Sequence, residues 1–188
     1  LKTAFRISES IDAVWHRAFM TEPDSLYTFA ARILHQPDAP EADIRRAISA
    51  LYYGMFHMLA AAGAVHFAPG GKALQTQVAR AFKHTTMQKV CKRYAQLPKP
   101  PFPPGANGLV PTPPDQRLAA IASAFLQLQE ARHVADYDLS AHLTIKSGRD
   151  LMQSAAQAAR DFTAVRALPE TTVFLAALLL DDRLTHLG

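Results

Sequence analysis

The chain has 188 residues, of which 49% are hydrophobic and 19% charged, and its net charge is +4 at pH 7. That length and apolar content fit one folded domain with its own core and exclude a wholly disordered chain. The single cysteine, Cys91, excludes an internal disulfide framework and a multi-cysteine zinc site and fits a reducing compartment, while the mild excess of positive charge favours an anionic partner.

The periodicity is helical from end to end, and alternating Val-Ile-Thr runs are absent. Residues 4–19 form the first predicted helix, with Phe5, Ile11, Val14 and Trp15 among its apolar positions. Residues 24–35 form the second, entered through Pro23-Asp24-Ser25. The third has the clearest pattern. Asp38-x-x-Glu41 reads as a capping box with Pro40 in the first turn, and the helix is expected to stop near Gly63. At about 100° per residue, Ile44, Ile48, Leu51, Met55 and Leu59 fall on one side of it. Arg46, Tyr53 and His57 fall on the opposite side, with the small residues Ala50 and Ala60, on a face suited to close helix packing or to the floor of a cleft. Residues 47–71 carry no Asp, Glu, Lys or Arg. Their Ser49, Tyr52, Tyr53, His57 and His66, and the closing Pro69-Gly70-Gly71, mark a core helix rather than a span, so no membrane partner is expected.

Residues 72–95 read as one long helix or two short ones, with His84-Thr85-Thr86 as the break and with Arg80 and His84 one turn apart on one face. Eight of the thirteen prolines lie within 98–114, an extended loop inserted into a single domain that spans 1–188. Thr112 and Asp115 then open a helix to about residue 135, whose stripe of Leu118, Ile121, Phe125 and Leu128 is continued by Arg132. Another helix covers 144–167, with Ile145, Met152, Ala155, Ala159 and Phe162 at helical spacing. The last covers 169–183, and its run 173–180 is apolar on nearly all sides, as in a core helix or half of a subunit interface. The expected fold is therefore an all-α helical bundle of up-and-down type, with a proline-rich loop insertion and extra terminal helices.

The chain has no Gly-rich phosphate loop, no His-Glu-x-x-His, no Cys-x-x-Cys and no Gly-x-Ser-x-Gly, so neither a cofactor nor a metal is expected. The residues able to carry chemistry are arginines, histidines and tyrosines on helices. Arg132 points toward a core, which is costly unless it is paired, and Asp136 one turn on is its nearest partner. Two readings stand side by side: an Arg–Asp clamp that ties down a helix end, or an arginine held by Asp136 and aimed at a phosphate. Arg46 with Tyr53 and His57, and Arg80 with His84, are either packed helix faces or suppliers of a base and of phosphate contacts. His133 projects about 100° away from Arg132 on the same helix. Lys83, Lys89, Lys92, Arg93 and Lys99 form the densest basic patch, a solvated face or a contact for a nucleic-acid backbone. Cys91 among them reads as a small apolar residue.

Several of these segments occur in a familiar order. The stretch 45–57, with its Arg45-Arg46 and Tyr52-Tyr53-x-x-Phe56-His57, resembles a helix of the HEPN domains (higher eukaryotes and prokaryotes nucleotide-binding). Arg132-His133-Val134-Ala135-Asp136-Tyr137 resembles the R-x-x-A-D-Y segment of that superfamily, and Arg80-Ala81-Phe82-Lys83-His84 an R-x-F-x-H stretch between the two. The resemblance covers about 25–165. It implies an all-α bundle, commonly a homodimer, and a role in RNA metabolism or toxin–antitoxin defence, with a cognate antitoxin or nucleotidyltransferase as a further partner and a cytoplasmic location. Catalytic members are metal-independent endoribonucleases with an arginine followed, after four to six residues, by a histidine. No arginine here has a histidine at that spacing; from Arg132 the positions hold Tyr137, Asp138 and Leu139. The resemblance thus implies Arg132 and Asp136 in the site, with His133, His84 and His57 as candidate acid–base groups and Arg46, Tyr53, Arg80 and Tyr137 as RNA contacts. The same motifs also fit a catalytically silent module that binds RNA, a nucleotide or a partner protein.

Overall fold

The computed structural model describes residues 22–96 and 114–184, and all of its regular structure is helical. In chain order the helices are α1 (Glu22–Leu34), α2 (Glu41–Phe67), α3 (Lys72–Ala81), α4 (His84–Tyr94), α5 (Gln116–Tyr137), α6 (Ile145–Val165) and α7 (Pro169–Leu184). The helix expected over 4–19, most of the proline-rich loop and the Thr112 cap lie outside the described residues.

The long helix α2 is the centre of the bundle. Helices α1, α3, α5, α6 and α7 all pack on it, α6 closes against α1 and α5, and α4 bridges α5 and α7. Ile44, Ile48, Leu51, Met55 and Leu59, the side read as apolar, are all buried. Among the described residues α2 alone is long and apolar enough to cross a membrane, but 67% of its most apolar window is buried inside the bundle. The apolar run of α7 is half core: Phe174, Leu175, Ala177 and Leu178 are buried, while Leu180 is exposed.

Four local expectations are corrected. Helix α2 does not stop at Gly63 but continues to Phe67, and ends at Ala68, where the following Pro69 disfavours helical backbone. Gly63 is a packing glycine: a Cβ there would run into the Phe82 ring. The capping box does not form. Pro40 occupies the cap and its carbonyl accepts from the Asp43 and Ile44 amides at 2.9 and 3.1 Å. The Glu41 carboxylate is drawn instead to Arg45, His142 and the Leu143 amide.

The segment 72–95 is two helices, and the break falls at Phe82-Lys83, just before the triplet expected to make it. Phe82 is extended (φ −67°, ψ 131°) and buried, since its ring must reach Gly63. In consequence Arg80 and His84 do not share a helix face: Arg80 lies exposed in the last turn of α3, and His84 opens α4. Asp115 caps α5 by accepting from the Arg117 amide at 2.9 Å, and Thr144 with Ser147 forms a capping box on α6.

Candidate functional site

Three elements converge at one place. Helix α2 supplies a ridge of Ser49, Tyr53 and His57, four residues apart, with Tyr52 beside it. The last turns of α5 supply Gln129, Arg132, Asp136 and Tyr137. The extended Phe82-Lys83 link delivers His84 at the start of α4.

Arg132 is the hub. Its Nη2 donates to the Tyr53 hydroxyl at 3.0 Å, and its Nε lies 2.6 Å from Asp136 Oδ2. The other Asp136 oxygen accepts from the Ser49 hydroxyl at 2.5 Å. The guanidinium carbon lies 5.5 Å from the Tyr53 ring centroid and 5.4 Å from that of Tyr137, within cation–π reach of both. Burial works against the Arg132 charge, but Tyr53, Asp136 and Tyr137 outweigh it and hold its pKa above the usual arginine value. The side chain keeps 24% of its surface exposed, so this cation is braced yet reachable.

His84 lies on the same cluster. Its Nδ1 is 2.6 Å from the Tyr52 hydroxyl, and its ring stacks on Phe56 at 3.9 Å between centroids. Gln129 Nε2 donates to that hydroxyl at 3.5 Å. Burial, then the positive charge of Arg132 and the nearby His57, push the His84 pKa below 6.5, so the imidazole is neutral at pH 7. Burial likewise raises Tyr52 to about 12. The rings of His57 and His84 lie 6.5 and 6.1 Å from that of Tyr53, which binds Arg132 and thus joins both histidines to the cation.

Of the residues read from the sequence, Arg132, Asp136, Tyr53, Tyr137, His57 and His84 come together here. His133 faces solvent, its ring 5.2 Å from that of Tyr137. Arg46 is exposed, 3.7 Å from Asp43, on the rim of an open cleft of about 490 Å³ that adjoins Tyr53, Ser49 and Asp136. Among the described residues no hydrogen bond, ion pair or ring contact ties Arg80 to Arg132. No group of three His, Cys, Asp or Glu side chains converges as a metal site among those residues. Burial holds the Cys91 thiol neutral, so it is an apolar core residue and not a nucleophile.

The sequence reading placed Arg45 and Tyr52 only within the resembling stretch and assigned neither them, nor Ser49 nor Gln129, to the site. Gln129 stands one turn before Arg132 on the same face, and Ser49 one turn before Tyr53; that spacing was the available signal. Arg45 positions the site from behind. It donates to the carbonyls of Ala135 (3.1 Å), Asp138 (2.9 Å) and Ala141, so it caps the end of α5 that carries Arg132 and Asp136. A braced arginine beside two imidazoles is suited to holding a phosphate diester and moving protons around it.

No protein-family model matches this chain, and neither any curated protein nor any solved structure shows significant similarity to it.

Proposed function

We propose that this chain is an HEPN-like protein of RNA metabolism or toxin–antitoxin defence, and that it cuts RNA without a metal at the Arg132 cluster. The observation that carries this reading is the shared Tyr53: its hydroxyl takes Arg132, and both His57 and His84 lie against its ring. Two imidazoles beside a phosphate-binding cation make up the chemistry for cleavage by the neighbouring 2′-hydroxyl. One imidazole takes the 2′-hydroxyl proton as that oxygen bonds to phosphorus. The bond to the 5′-oxygen breaks, that oxygen picks up a proton, and Arg132 stabilises the charge gathered on the phosphoryl oxygens. The products are a 2′,3′-cyclic phosphate and a 5′-hydroxyl. A second copy of the chain, a cognate antitoxin or nucleotidyltransferase, and a cytoplasmic setting belong to the same proposal through the motif resemblance.

A second reading has its own support. Tyr137 occupies the spacing at which the resemblance leads one to expect a histidine, and Asp136 is engaged on both oxygens, as in a structural lock. That pattern fits a silent module that binds RNA or a nucleotide. The two separate on product chemistry. Incubation of a mixed RNA pool with the full chain in EDTA yields new cyclic-phosphate ends under the first reading. Binding with intact RNA upholds the second and overturns the first.

A further inference from the structure

The two histidines of the cluster are not equivalent, and the difference is built by residues behind them. Tyr52 is nearly fully buried, at 2% exposure, and its hydroxyl has two neighbours, Gln129 Nε2 at 3.5 Å and His84 Nδ1 at 2.6 Å. The Gln129 amide nitrogen only donates, so it uses an acceptor lone pair of the Tyr52 oxygen. No third polar atom among the described residues lies within hydrogen-bond reach of this buried hydroxyl, so its proton is satisfied only by pointing to His84 Nδ1, which then accepts it. A neutral imidazole that accepts at Nδ1 carries its own proton on Nε2. The stack on Phe56 at 3.9 Å fixes the plane of that ring. His57 has ring contacts to Tyr53 and Phe56, but no hydrogen bond among the described residues holds either of its nitrogens.

We propose that Tyr52 and Gln129 hold His84 as the Nε2–H tautomer, so that His84 serves the site as a hydrogen-bond donor to a phosphoryl oxygen and His57 is the proton acceptor. The role toward RNA rests on the cleavage reading above; the tautomer itself does not. The groups that face His84 are Tyr52, Tyr53 and His57 from α2 and Gln129 and Arg132 from α5. The Arg132 charge disfavours a second proton on His84, which keeps the ring a neutral donor. A neutral imidazole is a poor proton donor to a leaving oxygen, since it would have to become an imidazolate. It is a good fixed dipole for developing negative charge. The division of labour follows: His57 takes the 2′-hydroxyl proton, His84 and Arg132 hold the phosphoryl oxygens, and the leaving 5′-oxygen takes its proton from water.

Positioning by Tyr52 and Gln129 is read directly by long-range ¹H–¹⁵N correlation on the full chain labelled with ¹⁵N-histidine, alongside cleavage kinetics. In the wild type at pH 7.5 the His84 signals should show an unprotonated Nδ1 and a protonated Nε2. Tyr52→Phe removes the directing proton, so the His84 signals should move toward a mixture of tautomers, while kcat drops about tenfold, the effect of one positioning hydrogen bond, with KM unchanged. Gln129→Glu keeps the shape but offers only acceptors; it should draw the phenolic proton to itself and place the His84 proton on Nδ1, even if the Tyr52 variant fails to fold. A wild-type His84 protonated at Nδ1 would overturn the proposal, since it would mean that the Gln129 amide presents its oxygen to Tyr52 and the chain of donors runs backwards. Unchanged tautomers in Gln129→Glu would overturn it as well. The expected tautomer in a protein that leaves RNA intact would uphold the positioning and sink the ribonuclease reading alone.

Discussion

Arg132 donates to the Tyr53 hydroxyl at 3.0 Å while its guanidinium carbon lies 5.5 Å from the centroid of the same ring. One tyrosine thus braces the cation through its oxygen and its π face, and does so from α2 across to α5. The planar fork of arginine is needed for that double contact; an ammonium lacks it. Arg132→Lys should therefore fold, lose about 1 kcal/mol of stability for the missing charge-assisted bonds, and bind an RNA oligonucleotide about tenfold more weakly. Urea unfolding and fluorescence anisotropy read the two effects. Unchanged RNA affinity would assign Arg132 to the scaffold alone.

Arg45 should matter more to stability than any residue of the cluster. Its side chain is 16% exposed and holds the carbonyls at the end of α5. Arg45→Ala should cost about 2–3 kcal/mol in urea unfolding, because carbonyls left without a partner pay their desolvation in full. Loss below about 0.5 kcal/mol, the scale of an ordinary surface substitution, would mean that the cap is dispensable.

Helices were legible in the sequence where burial obeys the helical repeat. Ile44, Ile48, Leu51, Met55 and Leu59 were readable as a stripe, and every one of them is buried. Local signals failed where a distant residue intervened. Gly63 looked like a stop because a glycine often ends a helix, but here it makes room for Phe82. Glu41 looked like half of a capping box, but Arg45 one turn on, together with His142 and Leu143 about a hundred positions away, claims its carboxylate. The pairing of Arg80 with His84 assumed an unbroken helix, and the turn that sends Phe82 under Gly63 separates them. Arg132, Tyr53, Asp136, His57 and His84 were named from the sequence, while their meeting depends on the packing of α2 against α5, which no local spacing encodes. Gln129 could have been found one turn before Arg132, but the role of Tyr52 and Gln129 beside His84 arises only through that packing.

Gly63 gives a test by sign. In an ordinary helix interior, alanine is better than glycine by about 1 kcal/mol. At this position Gly63→Ala should instead lower the thermal midpoint, since overpacking against Phe82 costs about 1–3 kcal/mol. The double variant Gly63→Ala/Phe82→Leu should recover part of the loss. A raised midpoint in the single variant would show that the ring moves aside freely.

The depressed His84 pKa makes stability depend on pH in a definite direction. Between the lowered folded value and the unfolded value near 6.5, the unfolded chain binds a proton that the native chain does not, so stability falls as the pH drops below about 6.5. The penalty stops growing once the pH is below the folded value. His84→Gln should show a smaller drop in thermal midpoint between pH 7.5 and pH 5.5 than the wild type does. Parallel profiles would contradict the burial and Arg132 repulsion assigned to this ring.

The most direct measurement is single-turnover RNA cleavage in EDTA by the wild type and by His57→Ala, with both thermal midpoints recorded. The cluster predicts cyclic-phosphate products from the wild type and a loss of about a hundredfold or more from a variant that melts normally, the usual contribution of a positioned base. Intact RNA with the wild type, or equal rates from both proteins, would contradict a ribonuclease site at Arg132, Tyr53 and His57.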